Sequence, residues 1–425
     1  MSGTKSRKII LTKLNIPKMQ PATLFAIYED NKASKLELFY DDDKFVLGNI
    51  YVAHVNDLVK NINAAFVEYA PGEKAYLPLE QSSDVFFINH KNTTKVCEGD
   101  NILVQIKKES KGTKDAVVST QIEMVGQYVV LTYGKPGICV SSKISDEQIK
   151  EQLHRLGSTF ISSIDFDSSQ YPLFTEAIFM NILERTGIIF RTECATVDDL
   201  SIVLQELTRM FDDCLKAFHK AMSCKGRTLI LEAQNPLIKL VKDALKADHT
   251  LQGECDIDTE IVTDDKDIYD MLIGEGIQTR WYLDELLPLY KLYSVESVLD
   301  EVVAHRIWLK SGGYLIIDYT EAMTVIDVNT GKFDQGKDKE KTTLKINLEA
   351  AVESIRQLRL RNISGIIIID FIDMKDDESK KKLMQTLRAE ASKDDIKTSV
   401  IDMTRLNLVE ITRKKTRDKV TIKSR

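Results

Sequence analysis

Two short apolar runs, each ending in an aspartate, constrain the fold of this chain more than any other feature. The first is MTVID, which ends at Asp327, and the second is GIIIID, which ends at Asp370. Residues 348–360 between them carry apolar side chains at helical spacing, and Gly365 separates that helix from the second run. A further run, Tyr314–Asp318, precedes the first at hairpin spacing. Strand, strand, helix and strand in this order predict an α/β fold.

The acids at the ends of these strands indicate a site for a divalent cation. Asp327 and Asn329 are two residues apart, so their side chains point to the same side of an extended strand. We expect Asp370 on a neighbouring strand, which brings two carboxylates within reach of one hard cation. Positive charge of the kind that a phosphate site needs lies between the acids, at Arg356, Arg359 and Arg361. A strand-ending aspartate can also simply cap a turn, so this spacing indicates a Mg²⁺ phosphodiesterase without deciding it.

The amino-acid sequences of the motifs in this region are more specific than the spacing of the acids. TEAMTVIDVN, NLEAA, RQLRLRN and GIIIIDFIDM closely resemble the catalytic core of the ribonuclease E / ribonuclease G family, from Ser311 to about Arg413. The resemblance implies a DNase I-like subdomain in which Asp327 and Asp370 bind Mg²⁺ and Asn329 supports them. It also implies that Arg361 and Lys397 place cations on the scissile phosphate. Mn²⁺ is a candidate substitute for Mg²⁺.

Residues 48–120 show five short strand-like runs separated by turns, which predict a small barrel. Phe66 and Tyr76 lie on successive runs, with Lys108 and Lys114 on later ones. Aromatic rings with interleaved lysines suit single-stranded nucleic acid, although both rings could equally be ordinary core. The passage also resembles the S1-like OB-fold of the same family, in which both aromatic positions face RNA.

Arg191 and Thr192 follow a buried strand and form a pattern that is weak by itself. In the family that this chain resembles, the matching pair binds the 5′-monophosphate of the substrate in a 5′-sensor, and the residues matching Gly126 and Val130 line the pocket. An arginine offers phosphate a planar fork of donors, and a threonine adds a hydroxyl. The family commonly has an Arg-Arg pair where this chain has Ser142–Lys143, so we expect a weaker pocket.

The resemblance extends to the organisation of the whole chain. It implies an RNase H-like subdomain split between residues 1–40 and 223–305, with three other subdomains and a tail. These are an S1-like barrel at 41–125, a 5′-sensor at 126–222, a DNase I-like catalytic subdomain at 306–413 and a basic tail at 414–425. Residues 256–260 carry three acids, which fit an exposed acidic turn better than a second nuclease site. The basic tail fits a solvated face and an RNA contact equally well.

Composition narrows the cellular setting. The chain has 425 residues, no run near 18 apolar residues and no signal peptide, so we expect a cytoplasmic protein without a membrane partner. Its six cysteines form no CxxC pair, and none follows Cys255, so no zinc site is expected. We therefore expect no zinc-binding link of the kind that larger relatives have, and a homodimer through the catalytic subdomain is the candidate assembly.

The function implied by the resemblance is a Mg²⁺-dependent endoribonuclease acting on single-stranded RNA in RNA processing and mRNA decay. Its substrates would include mRNA and ribosomal RNA precursors, with a preference for a 5′-monophosphate. One alternative is an RNA-binding or scaffold protein of the same fold with weak or no cleavage. Another is a DNA or phosphomonoester hydrolase, which the barrel and the sensor residues disfavour.

Overall fold

The computed structural model divides the chain into two compact units. One unit combines Met1–Asp43 with Asn235–Arg425, and the other is Lys44–Gln234. The structure describes residues 5–424 apart from 18, 42, 44, 82–83, 89–94, 111–113, 198, 252–256, 285 and 332–338.

The chain opens with three antiparallel strands of the first unit: β1 (Lys5–Leu14), β2 (Ala22–Glu29) and β3 (Lys32–Tyr40). Asp30 and Asn31 form the turn between the last two strands with positive φ angles of 49° and 63°. Asn and Asp tolerate this left-handed conformation better than most residues, which fits the tight hairpin. Successive apolar side chains of β1 pack into different cores on the two sides of the sheet.

The second unit begins with a closed barrel of five strands. They are β4 (Ile50–Val59), β5 (Ala64–Ala70), β6 (Glu73–Pro78), β7 (Asn101–Lys108) and β8 (Ala116–Ser119). The order is β4-β5-β6-β8-β7, and β7 pairs with β4 to close the barrel. Alternating small and branched side chains, including Ala65, Val67, Ala75 and Leu77, fill the interior and are fully buried. The expected OB-like barrel in an α/β chain is therefore confirmed.

The rest of the second unit is a four-stranded sheet with helices. Its elements are β9 (Ile122–Val125), β10 (Val129–Tyr133), β11 (Gly137–Val140), α1 (Glu147–Ser162), α2 (Glu176–Glu184), β12 (Thr186–Phe190) and α3 (Leu200–Ser223). A final strand, β13 (Thr228–Leu231), pairs with β4. The sequence grouped this strand with residues 223–305, whereas here it extends the barrel sheet, because Ile230 packs into the core of the second unit.

The chain then returns to the first unit and completes its opening sheet. The elements are α4 (Pro236–Leu251), β14 (Ile257–Thr263), α5 (Lys266–Gly274), β15 (Arg280–Trp281), α6 (Leu289–Leu292) and α7 (Val295–Val303). β14 pairs in parallel with β1, giving the order β15-β14-β1-β2-β3. The expectation of an exposed acidic turn is wrong for Glu260, which lies within β14 and pairs with Arg280 and Lys8. Asp256 lies outside the described residues.

A second sheet completes the first unit. It contains β16 (Arg306–Trp308), β17 (Tyr314–Tyr319), β18 (Met323–Asn329), β19 (Gly365–Asp370), β20 (Thr398–Met403) and β21 (Leu408–Arg413). Its helices are α8 (Lys339–Leu360), which connects β18 to the parallel strand β19, and α9 (Asp377–Ala391). The strand order is β16-β17-β18-β19-β21-β20. We call this six-stranded sheet the acidic sheet. Both helices pack on one of its faces.

Residues 414–424 do not extend away from the fold as a loose tail. Val420 and Ile422 pack against the core beneath β1–β3, and the Val420 amide donates to the Arg361 carbonyl at 3.0 Å. Tyr40 donates its hydroxyl to the Thr421 carbonyl at 2.8 Å. The segment is therefore part of the first unit. The RNase H-like, 5′-sensor and DNase I-like identities of the subdomains stay predictions. Among the described residues, no helix is long and apolar enough to cross a bilayer.

A buried ion pair in the first unit gives a stability prediction. Arg413 donates two hydrogen bonds to Asp394, at 2.7 and 3.2 Å, and their side chains are 1% and 0% exposed. Asp394→Ala leaves the guanidinium buried without its counter-charge, so unfolding should become easier by about 3–5 kcal/mol. Asp267→Ala, at the exposed pair with Lys13, should cost less than about 1 kcal/mol. Denaturant unfolding followed by circular dichroism compares the two, and equal losses would contradict the prediction.

Candidate active site

Parallel pairing of β18 with β19 brings the two predicted metal-binding acids together. The strands are in register, so Asp327 lies directly beside Asp370. Asn329 donates from Nδ2 to Asp327 Oδ2 at 2.6 Å, which fixes the orientation of that carboxylate. The structure therefore brings together the three residues that the sequence placed at one site.

The alternation of each strand decides which face of the sheet carries these acids. Ile326 and Val328 of β18, like Ile367 and Ile369 of β19, point into the core beneath α8 and α9. The acids lie at the intervening positions and therefore point to the opposite face of the acidic sheet. Asp370 is exposed there, and Asp327 and Asn329 are half-buried.

Ionisation of the Asp370 carboxyl is disfavoured by its surroundings, which include the charge of Asp327. Partial burial raises the pKa of the Asp370 carboxyl, and the neighbouring charges of Asp327 and Asp373 raise it further. A divalent cation would relieve this repulsion, and Mg²⁺ takes few protein ligands because it keeps several waters. Among the described residues no group of three or more ligating side chains could hold a metal ion, and the metal-binding role of these two carboxylates stays a prediction.

The NLEAA motif of α8 holds the two loops that flank the pair. Asn347 is fully buried and exchanges two hydrogen bonds with the backbone of Ile372, at 2.8 and 3.1 Å. Glu349 accepts the amides of Lys310 and Ser311 in the β16–β17 turn. The motif resemblance predicted no individual role for these residues. The available signal was an asparagine and a glutamate two residues apart within a helix.

Glycines allow that turn to approach the end of β18. A Cβ on Gly313 would lie 2.8 Å from the Asn329 carbonyl, and one on Gly331 would collide with the Gly312 carbonyl. Gly312 and Gly331 also have positive φ angles, of 88° and 65°. The SGG and TG sequences are therefore needed for the backbone contact beside Asn329.

A third carboxylate follows the pair along the chain. Asp373 accepts from Asn407 Nδ2 at 3.0 Å, and Asn407 Oδ1 accepts from Lys380 Nζ at 3.0 Å. This chain of hydrogen bonds orients Asp373 and brings a lysine into the surroundings of the acids. Sequence reasoning missed all three residues, because they come from a loop, a helix and a turn that are distant in the chain.

The predicted phosphate-binding cations do not join the acids. Arg361 is 2% exposed, donates to Gln357 Oε1 at 2.6 Å and to the Glu301 carbonyl at 2.9 Å, and lies before the start of β19. Lys397 directly precedes β20. The first residue of β20, Thr398, pairs with Arg413, and Arg413 also pairs with Gly365 at the start of β19. Both residues therefore lie at the end of the sheet away from Asp370. Arg361 serves the packing of α8, and a scissile phosphate at the acids would be out of reach of either side chain.

The other two arginines of the RQLRLRN segment are also occupied. Arg356 binds Glu301 and Glu353, and Arg359 donates to Glu29 at 2.8 Å. Burial, together with the neighbouring Arg361 and Arg359, lowers the pKa of Arg356 to about 10, so it stays charged at neutral pH. The prediction that these arginines supply charge to a phosphate site is wrong, because carboxylates inside the first unit already pair with them.

On the barrel, three of the four predicted RNA-binding residues fall in one row. Phe66 pairs with Tyr76, Tyr76 with Val117, and Val117 with Lys108 across four strands. The two rings are half-buried, with centroids 6.0 Å apart, and lie on the outer face because their sequence neighbours fill the core. Lys108 is exposed, as is Lys114 in the connection before β8. The ordinary-core interpretation of the two rings is thereby excluded.

The predicted sensor residues also meet, within the second unit. Arg191 donates from Nη1 to the Gly126 carbonyl, and Thr192 shares a hydrogen bond of 3.0 Å with Ser141. Val130 lies on β10, opposite Ile189 of β12. The guanidinium of Arg191 is not free, since its Nη2 lies 3.2 Å from Glu193 Oε1.

Glu206 of α3 shapes the loop that carries Gly126. Its carboxylate accepts the amides of Gln127, Tyr128 and Val129 at 2.7–3.0 Å. A Cβ on Gly126 would collide with this same carboxylate, so the position requires glycine. A lone glutamate in an amphipathic helix gives no sequence signal for such a role.

A known protein family matches more than half of the chain. The model of the Ribonuclease E/G family matches residues 123–416, which include both the sensor residues and the paired acids. The chain belongs to the ribonuclease E/G family. The resemblance proposed from the motifs is thereby confirmed.

Individual relatives match over most of the chain. Ribonuclease G of Escherichia coli (strain K12) is 30% identical over 399 residues, covering 88% of this chain and 74% of that protein. Ribonuclease G of Haemophilus influenzae is 29% identical over 409 residues, covering 93% and 78%. Ribonuclease E of Buchnera aphidicola subsp. Schizaphis graminum is 29% identical over 380 residues, covering 86% of this chain and 36% of that protein.

The repulsion within the pair gives a prediction for the metal-free protein. Asp370→Asn should raise the thermal midpoint in EDTA at neutral pH, because it removes a charge that the folded state disfavours. A raised carboxyl pKa destabilises the fold only where the group is ionised, so the gain should shrink as the pH falls toward about 4. Scanning fluorimetry across this range measures it, with Asp318→Asn on the same face as the control. A lower midpoint for Asp370→Asn at pH 7 would show that repulsion does not dominate.

Proposed function

We propose that this chain is a Mg²⁺-dependent endoribonuclease that hydrolyses single-stranded RNA in RNA processing and mRNA decay. Membership of the ribonuclease E/G family supports cleavage of RNA. The observation that carries the metal-dependent chemistry is the in-register pair of Asp327 and Asp370, with Asn329 bonded to the first. Mn²⁺, which favours the same oxygen ligands, is the candidate substitute ion.

The paired acids, Asn329 and Asp373 have different roles in this proposal. Asp327 and Asp370 would hold the ion, and Asn329, which donates to Asp327 Oδ2, would orient that carboxylate. A bound Mg²⁺ supplies Lewis-acid activation of water and neutralises charge that develops on the phosphate. Asp373, oriented by Asn407, is the further carboxylate available to accept a proton from water near the scissile bond.

The subdomain assignments implied by the resemblance form part of the same proposal. The five-stranded barrel acts as the S1-like RNA-binding domain, with Phe66 and Tyr76 stacking on bases and Lys108 and Lys114 holding phosphates. The acidic sheet with α8 and α9 forms the DNase I-like catalytic subdomain, and the opening sheet forms the RNase H-like one. We also propose a cytoplasmic location, where such transcripts are processed, and pairing of two copies through the catalytic subdomain.

The second unit carries the proposed 5′-sensor. Arg191 and Thr192 would bind a 5′-monophosphate, with Gly126 and Val130 lining the pocket and Ser141 adding a second hydroxyl. Glu193 already pairs with the guanidinium, so a phosphate has to displace a carboxylate before it binds. We therefore propose a modest preference for monophosphorylated RNA, in line with Ser142–Lys143 in place of two arginines.

Removing either carboxylate should abolish cleavage without unfolding the protein. Asp327→Asn or Asp370→Asn should lower kcat/KM on a short single-stranded RNA by on the order of a thousandfold, because a metal ligand is lost. Gel assays with Mg²⁺, with Mn²⁺ and with EDTA measure the change. Asp318→Asn is the matched control, since Asp318 lies on the same sheet face and its carboxylate pairs with His305 at 2.7 Å.

Two outcomes of that assay would separate the proposal from its alternatives. RNA binding without cleavage by the wild type would favour an RNA-binding or scaffold protein of this fold. Equal cleavage of matched DNA and RNA oligonucleotides would favour a more general phosphodiesterase.

The sensor makes an independent prediction. The wild type should cleave 5′-monophosphorylated RNA about tenfold faster than 5′-hydroxyl RNA, as a charge-assisted contact of about 1.5 kcal/mol implies. Arg191→Gln should remove this preference and leave the rate on 5′-hydroxyl RNA nearly unchanged. Glu193→Gln should increase the preference, because the competing carboxylate is gone. Competition assays with the two RNA forms measure the ratio, and no response to Glu193→Gln would contradict the displacement model.

A further inference from the structure

An exposed aromatic cluster with a cation lies at the free edge of the acidic sheet. The Trp308 side chain on β16 is 63% exposed, although tryptophan is usually among the better-buried residues. Its ring centroid lies 5.2 Å from that of Tyr314 on β17, and the Arg306 guanidinium lies 4.5 Å from the Tyr314 centroid and 5.7 Å from that of Trp308. We call these three residues the Trp308 platform.

The register of the sheet places this platform on the same face as the paired acids. Trp308 pairs with Tyr314, and Tyr314 with Asn329, so these three side chains form one row. Arg306 belongs to the next row, which runs through Ile316 to Asp327 and Asp370. Strand spacing then puts Trp308 about 12 Å from Asp327, a distance that an extended RNA strand covers within a few nucleotides.

The backbone beneath the platform is fixed. Leu309 donates its amide to the Gly313 carbonyl at 2.8 Å, which closes a tight turn directly after Trp308. Glu349 of α8 then accepts the two amides at the tip of that turn. The indole is therefore presented on a rigid hairpin and needs little reordering to receive a flat partner.

From this geometry we propose that the Trp308 platform stacks on an unpaired base of the RNA, a few nucleotides from the scissile phosphate. The proposal rests on the ribonuclease function proposed above. The indole offers a sequence-tolerant stacking surface, and Arg306 offers a cation to the adjacent phosphate. Two rings and one guanidinium are too small to form a stable protein interface, which needs roughly 800 Å² from each partner.

The consequence for the reaction is alignment of the strand. A base held at the platform and a phosphate held at the acids fix two points of one RNA strand on one rigid sheet. The platform is a positioning element, because it touches the substrate away from the bond that breaks. Its loss should therefore weaken binding of the RNA and misplace the scissile phosphate.

Fluorescence tests the contact without requiring turnover. The chain has two tryptophans, so Trp281→Phe leaves Trp308 as the single indole reporter. In an Asp327→Asn background, titration with a short single-stranded RNA should quench this emission. An abasic nucleotide scanned through the positions flanking the cleavage site should abolish the quenching at one position only. No quenching, or quenching that is indifferent to every abasic substitution, would overturn the proposal.

Kinetics test the contribution to cleavage. Trp308→Ala should lower kcat/KM by about tenfold or more, the scale expected for one stacked base, and Trp308→Phe should restore most of it. Tyr319→Ala is the matched control, because Tyr319 is also exposed and lies 4.4 Å from a cation, Lys419, at the other end of β17. In the Trp308→Ala variant, the abasic substitution identified by fluorescence should have no further effect.

Two results would distinguish failure of this proposal from failure of the proposed function. If Trp308→Ala lowers the sedimentation mass and leaves the abasic penalty intact, the platform is an interface between copies and the stacking proposal is wrong. If the wild type does not cleave RNA at all, the proposed function fails, while the fluorescence experiment still decides whether Trp308 contacts a base.

Discussion

Buried guanidinium groups of the segment RQLRLRN hold the first unit together. Arg356 donates to the Ala33 carbonyl and to Glu301, and Arg359 pairs with Glu29, so one turn of α8 is bonded to the opening sheet and to α7. Burial alone would raise the pKa of the Glu29 carboxyl, yet Arg359 and Arg7 keep it below its usual value. Guanidinium groups as buried as these two are tolerated because each has a carboxylate partner. This polar network therefore holds α8, and with it the acidic sheet on which α8 packs, in the first unit.

That network changes how charge is distributed around the candidate site. Arg356 and Arg359 pair with internal carboxylates, and Arg361 donates to Gln357 and to the Glu301 carbonyl, so other cations lie around the acids. Lys380 reaches Asp373 through Asn407, and Arg306 lies over the ring of Tyr314. The acids themselves remain close together with no guanidinium between them in the part of the chain that the structure describes. Such an arrangement suits an ion that arrives from solution better than a permanent salt bridge.

Sequence patterns predicted the parts that follow from local periodicity. Alternation within β18 and β19 fixed the face of Asp327 and Asp370, and five short strands with turns fixed the barrel. The pairing of β14 with β1 and the inclusion of β13 in the barrel could not be predicted locally, because each depends on a partner distant in the chain. Arg361 was assigned to the site from its motif, but burial beside Glu301 decided its role, and burial is not visible in a motif. The exposure of Trp308 is not predictable from its sequence context, because an aromatic residue in a short strand is ordinarily buried in the core.

The discontinuous first unit has a consequence for the order in which the chain can fold during synthesis. β1 pairs with β14, which lies far along the chain, and residues 414–424 pack against the core beneath the same sheet, so the opening strands wait on the ribosome for segments translated much later. The second unit is contiguous and can close its barrel while β1 still lacks β14 beside it. That edge of β1 is meanwhile open to wrong pairing with other chains. The opening strands are thus the point at which translation speed and chaperone access would bear most strongly on the yield of native protein.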